Sequence, residues 1–287
     1  EKDTIPVVAF KSMNSDTQLK MFMDINQNQK AVSPSLRLAL QQDLHWSSDR
    51  IDSRMGALKS AIITSLGDLP SSVLNGQISI GEDRAALAFK PFYIALGRCL
   101  LIPTGTAKKF DKDKSVSALY DIANHDIDSA MLDARKKTTN LISSCYEFVS
   151  ERFPSLYNQN SSENFIISNR GSYAFIMIIG SLNNFVTMNG VVSIGTSNIK
   201  RFSAIEKYLI ALCEGIESFN EESKKELLNQ LGQAAENLWF YSFQNIIHRK
   251  FQDYQTKGLT EWLQTKDKEI QERAQNLVSQ IEKHIKE

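Results

Sequence analysis

Residues 173–182, YAFIMIIGSL, are the most apolar stretch of the chain and limit its fold more than any other segment. A helix that crosses a membrane needs about 20 apolar residues. This run is roughly half that length, and Arg170 stands just before it. It therefore reads as a buried core helix, and the chain as one with no membrane association.

The pattern around this run is helical. From Ser115 onward, Leu119, Ile122, Ile127, Met131, Leu141, Ile142, Tyr146 and Val149 recur at three-to-four spacing. Pro154 ends that region, the apolar helix spans residues 165–186, and Met188-Asn189-Gly190 turns the chain. Residues 205–216, 224–247 and 261–287 are predicted as three further helices.

β signals are confined to the amino-terminal third. Residues 5–10, IPVVAF, read as a strand. Residues 69–81 are a second β candidate, with a turn at Asn75-Gly76 and alternation at Ile78 and Ile80. Helix starts are marked by the Ser15-to-Gln18 capping box and by Ser33-Pro34. Residues 50–66, capped by Gly67, and 85–101 make two more helices. A charged link at residues 104–114 is the expected domain boundary. The fold class is mainly α with a small α/β part: an α/β lobe over residues 1–103 and a helical domain over 115–287. A strand at the start needs a partner, so the natural protein is expected to extend upstream of Glu1. The last helical pattern reaches Glu287 without a stop signal, so an extension there is expected too.

Thirty-three basic side chains balance 33 acidic ones. That balance excludes a globally basic nucleic-acid clamp and leaves room for a local basic patch. Cys99, Cys145 and Cys213 are isolated, which fits a reducing, cytoplasmic interior rather than a disulfide framework or zinc ribbon. The four histidines have no metal-ligand spacing. No metal, cofactor or catalytic residue is assigned.

The most specific segment is residues 5–40. Phe22, Asp24, Ile25, Asn26, Gln29, Lys30, Val32, Ser33, Ser35 and Leu36 form a phrase, F-x-D-I-N-x-x-Q-K-x-V-S-x-S-L, that follows the Ile-Pro-Val strand. This phrase resembles the DGQHR-domain family, whose best-known branch is DndB, associated with DNA sulfur modification (phosphorothioation). The stretch 165–171, with Asn169, Arg170 and Gly171, is similar to the family's second landmark. The resemblance covers nearly the whole chain and places the family's DGQHR motif upstream of Glu1. It implies a partial ParB-like amino-terminal lobe followed by a helical carboxy-terminal lobe. In ParB-type proteins a nucleotide-contacting Glu-Asn-x-x-Arg precedes Leu-Ser-Pro. Here Asn26 and Val32-Ser33-Pro34 match, but Ile25 and Gln29 replace the acid and the guanidinium, so ParB-type nucleotide hydrolysis is not implied.

The candidate nucleotide- or nucleic-acid-binding residues are Asp24, Asn26, Gln27, Gln29, Lys30, Ser33, Asn169, Arg170, Lys200 and Arg201. Asn and Gln side chains both donate and accept, so residues 26–29 can read a base edge or merely hold a helix junction together. Arg170 can meet a phosphate at a helix start, or belong to an ordinary entry loop around Gly171. The basic clusters Lys108-Lys109, Arg135-Lys136-Lys137, Lys200-Arg201 and His248-Arg249-Lys250 can line DNA or be solvated faces. His125 with Asp121 or Asp128 has acid–base spacing but no accompanying nucleophile.

Three functions are consistent with this reading. The first is a DNA-associated protein of a bacterial DNA-modification or phage-defence system, binding DNA or regulating transcription. Its partners would be DNA and other components of that system. The second is a ParB-like nucleotidase or nuclease completed by upstream residues. The third is a helical adaptor that docks through the amphipathic helices of residues 224–247 and 261–287.

Overall fold

In the computed structural model, helix α6 (Asn169–Met188) is enclosed on all sides. Every residue from Gly171 to Asn184 is buried, and Tyr173 through Ile179 have no solvent exposure. The description covers residues 12–14, 17–18, 20–21, 33–80, 85–103, 119–157, 165–219, 221–229, 233–254 and 268–285. In chain order the elements are α1 (Pro34–Ala39), α2 (Gln41–His45), α3 (Ile51–Asp68), β1 (Ile78–Ser79), β2 (Leu87–Ala88) and α4 (Phe89–Leu96). They continue with α5 (Ile127–Arg152), a 3-10 turn (Pro154–Leu156), α6, α7 (Asn198–Glu217), α8 (Glu221–Asn229), α9 (Gln233–Lys250) and α10 (Lys268–Ile285). The fold is mainly helical, with a two-stranded sheet as its small β part among the described residues.

The helix boundaries follow local chemistry. Ser33 Oγ accepts from Leu36 N–H at 3.1 Å, and Pro34 takes the first helical position of α1. Asp126 Oδ1 accepts from Ser129 N–H at 3.1 Å and opens α5. Pro154 follows the end of α5 and cannot extend it. Ser168 Oγ accepts from Gly171 N–H at 3.0 Å at the head of α6. Near the start of the chain, Thr17 N–H is capped by Asn14 Oδ1 at 2.8 Å. The predicted cap Ser15 lies outside the described residues.

Several boundaries differ from expectation. Gly67 lies inside α3 rather than past its end, because Ile80 packs against it: a Cβ there would sit 2.7 Å from Ile80 Cδ1. Residues 87–88 are strand, not helix, because they pair in parallel with residues 78–79. Asn75-Gly76 does turn the chain, with Gly76 at φ +67°, but it closes against the end of α3, where Gly76 N–H donates to Gly67 O at 2.8 Å. α7 begins at Asn198, two turns before the predicted Ile205. The predicted helix 224–247 is two elements, α8 and α9. The predicted strand 5–10 and the charged link 104–114 lie outside the described residues.

α9, α4, α7 and α5 pack directly on α6. Tyr146 of α5 meets Phe175 edge-on with ring centroids 5.0 Å apart. One continuous apolar core runs from Ala39 to Val278, so residues on both sides of the expected boundary at 103–115 contribute to it. Each fully buried Leu, Ile or Phe contributes about 1.5–3 kcal/mol relative to exposure. The turn that follows α4 approaches so closely that a Cβ on Gly180 would sit 2.1 Å from Cys99 O. Gly180→Ala is therefore expected to cost about 2–3 kcal/mol. Gly195→Ala, with nothing within 4 Å of its added Cβ, should stay within about 0.5 kcal/mol of the parent. Chemical denaturation of the two variants checks this, and equal midpoints would contradict so close an approach of α6 to Cys99.

Candidate functional site

A cleft of about 380 Å³ opens between the middle of α5, the loop before α7 and the first turn of α7. Its walls carry Lys136 and Lys137 from α5, Thr196 and Ser197 from the loop, and Asn198 and Arg201 from α7. Asn198 ties the two helices together: its Nδ2 donates to Ser144 Oγ at 2.9 Å. Thr196 Oγ1 accepts from Ser193 N–H at 2.8 Å and folds the approach loop. Ser197 occupies the cap position of α7 without making a side-chain cap bond.

The cleft is cationic. Lys137 Nζ pairs with Asp133 at 2.6 Å and donates to Ile194 O at 3.0 Å. Lys136 is exposed on the wall and Lys200 is exposed on the first turn of α7. Among the described residues neither makes an ion pair. Arg201 is only 2% exposed. Its guanidinium donates to Asn183 Oδ1 at 2.7 Å and to Ser193 O, and burial pulls its pKa below the ordinary value. The sequence treats Lys200-Arg201 as one solvent-facing basic pair; the structure separates them. The α-helical start at Asn198 turns Lys200 outward and packs Arg201 between α6 and the approach loop. Arg201 is thus withdrawn from the open surface and lies on the lining of the cleft.

The remaining predicted residues divide in two groups. Asp24, Asn26, Gln27, Gln29 and Lys30 lie outside the described residues. Ser33, Asn169 and Arg170 are engaged with the chain itself. Ser33 caps α1. Asn169 Oδ1 accepts from Ala88 N–H at 2.7 Å, joining β2 to α6. Arg170 donates to Leu228 O at 2.7 Å, satisfying a carbonyl in the last turn of α8. Arg170 lies with Arg98 and Lys90 near Glu236, whose carboxyl is raised by burial against the opposing pull of these cations.

Other basic clusters are similarly occupied. Arg135 donates to Ser65 Oγ at 2.9 Å, Arg249 donates to Val278 O, and Lys250 pairs with Glu214 at 2.9 Å. Lys108-Lys109 lies outside the described residues. His125 is exposed, and both carboxylates proposed for it are engaged elsewhere: Asp121 accepts from Ala123 N–H at 2.9 Å, and Asp128 pairs with Arg54 at 2.7 Å. The apolar faces of α9 and α10 are also turned inward, with Trp239, Phe240, Phe243, Leu277 and Val278 buried. The cleft, by contrast, was missed by the sequence reading. Its one available signal was the polar run 193–198, SIGTSN, ahead of a basic pair.

Among the described residues no group of three or more metal-ligating side chains comes together, and no helix is long and apolar enough to cross a membrane. All three cysteines are free and buried. No family model, curated protein or solved structure matches the chain.

Two predictions follow from these placements. Asn169→Ala and Arg170→Ala are each expected to lower stability by about 0.5–1.5 kcal/mol, because each removes a hydrogen bond that fastens α6 to its neighbour. Denaturation curves that stay at the parent midpoint would instead free these side chains for a ligand. The second concerns Lys59, whose Nζ sits 4.0 Å from the Tyr93 ring centroid and whose pKa burial lowers from 10.5 to about 8. Below about pH 8 the ammonium is charged in both states and its desolvation cost is fully present. Between about 8 and 10.5 the native state loses its proton first, so stability from this residue rises with pH. Lys59→Met should therefore be more stable than the parent at about pH 7, with the gap closing by about pH 10. A less stable variant at neutral pH would mean that the Tyr93 contact outweighs desolvation.

Proposed function

We propose that this chain is a DNA-associated protein of the DndB-like kind, serving a bacterial DNA-modification or phage-defence system by binding duplex DNA, with transcriptional regulation as its simplest role. The resemblance of residues 5–40 to the DGQHR-domain family supplies the biological class. The observation that carries the physical side is local: in a chain of zero formal net charge, Lys136 stands exposed on the wall of a cationic cleft, and Lys200 is exposed on the first turn of α7, the helix that forms part of the opposite wall. Exposed lysines at such a place are suited to phosphates, which they hold without reading sequence. Binding of this kind releases counterions and weakens as salt rises.

The test is duplex binding by the full chain, followed by fluorescence anisotropy across a salt series. Affinity should fall by at least about tenfold between 50 and 200 mM salt. The double variant Lys136→Glu/Lys200→Glu should bind about tenfold more weakly, with a shallower salt slope. Binding that is absent, or indifferent to salt, would remove the proposal. Undiminished binding by the double variant would move the DNA contact away from this cleft.

A further inference from the structure

Arg201 poses a charge problem that the chain does not solve by itself. The side chain is 2% exposed, yet both of its hydrogen-bond acceptors, Asn183 Oδ1 and Ser193 O, are uncharged. They occupy two of the five guanidinium N–H groups. Among the described residues no carboxylate pairs with it. The carboxylate on the cleft wall, Asp133, is held by Lys137 instead. Buried charges are ordinarily paired, because an isolated one is costly to desolvate. Helix geometry directs this side chain back over the first turn of α7, which agrees with its bond to Ser193 ahead of the helix.

Two further kinds of donor lie on the cleft. Beside Arg201, Asn183 is fully buried, with its Oδ1 taken by Arg201 and its Nδ2 without a partner among the described residues. The first amides of α7 have no intrahelical acceptor, and Ser197 supplies none from its side chain. Lys136 adds an exposed ammonium on the opposite wall. Three cations thus face one carboxylate that is already paired. The cleft volume of about 380 Å³ exceeds what a bare anion needs and falls within the range of small-ligand sites.

The geometry points to a phosphate-binding site in this cleft, in which a phosphate group supplies the counter-charge for Arg201. Its oxygens can accept from the guanidinium, from the amides of the first turn of α7 and from Lys136. The phosphate comes from a nucleotide or from a nucleic-acid backbone. Only the backbone source rests on the DNA-binding reading.

The experiment uses the full chain and three probes: inorganic phosphate, a deoxynucleoside monophosphate and duplex DNA. Binding is followed by calorimetry and by thermal shift against chloride of matched ionic strength. Arg201 itself is a poor target because its loss can unfold the chain. Ser197→Asp instead places a carboxylate at the cap of α7, where it accepts from the same amides. This variant should melt higher than the parent without phosphate and bind phosphate at least about tenfold more weakly. Lys136→Glu should weaken phosphate about tenfold with an unchanged melting temperature. Parent protein that responds to phosphate no more than to chloride, or two variants that bind phosphate undiminished, would overturn the inference. Duplex binding that Ser197→Asp leaves intact, with no response to phosphate or mononucleotide, would likewise overturn it while the DNA reading survives. Phosphate and mononucleotide binding lost in Ser197→Asp, with no duplex binding by the parent, would support the site and remove the DNA reading.

Discussion

The burial of α6 is the constraint on which the rest of the structure depends. A helix apolar on every face cannot rest on a surface, because each exposed side would forfeit its transfer free energy. It must be surrounded, and the chain surrounds it with α4, α5, α7 and α9. This requirement explains why segments from both sides of the charged link share one core. α4 comes before the link and α9 well after it, yet each covers a face of the same helix. Gly180 lets the turn after α4 come close, with Cys99 O where a Cβ would sit, and Gly171 performs the same service at the helix head, where a Cβ would collide with Phe165 O.

What was legible in the sequence was whatever has a short-range cause. Ser33-Pro34 and Pro154 mark helix ends through hydrogen bonding and ring sterics confined to a few residues. The apolar run 173–182 announces its own burial. What stayed hidden depends on distant partners. Leu87-Ala88 reads as helix by composition and becomes strand only because residues 78–79 lie beside it. Gly67 looks like a cap until Ile80 is seen against it. The early start of α7 is masked in the sequence by the polar run 193–198 and the basic pair that interrupt Ile199 and Phe202. That turn is held by the link from Asn198 to Ser144 and by Phe202 packing 5.7 Å from the Phe148 ring.

The candidate site shows the same division. Residue type alone groups Lys200 with Arg201, yet a helix rotates adjacent residues apart by about 100°. One therefore meets solvent and the other the core. Asn183 and Asn184 give the warning, as a polar pair within a mostly apolar helix, since buried polar groups ordinarily mark a hydrogen-bonding role. Asn169 and Arg170 illustrate the converse. Their position at a helix start suggests an anion site, but both are occupied in joining α6 to β2 and to α8. A polar side chain next to a core helix can serve as a fastening, and only its hydrogen-bond partners distinguish that role from recognition.

Arg201 links the fold to the cleft. Its guanidinium bonds Asn183 of α6 and Ser193 O while the residue also lines the cleft, so a counter-charge can arrive from the cleft side. An anion there would satisfy the guanidinium and the first amides of α7 together. Occupancy and the order of that turn would then rise together, because a ligand that binds only the folded turn stabilises it by mass action. The core would be little affected, since α6 is already held by apolar packing on every face. A helix start with an uncompensated buried cation, set against a rigid core, can therefore respond to a ligand without any rearrangement of the fold around it.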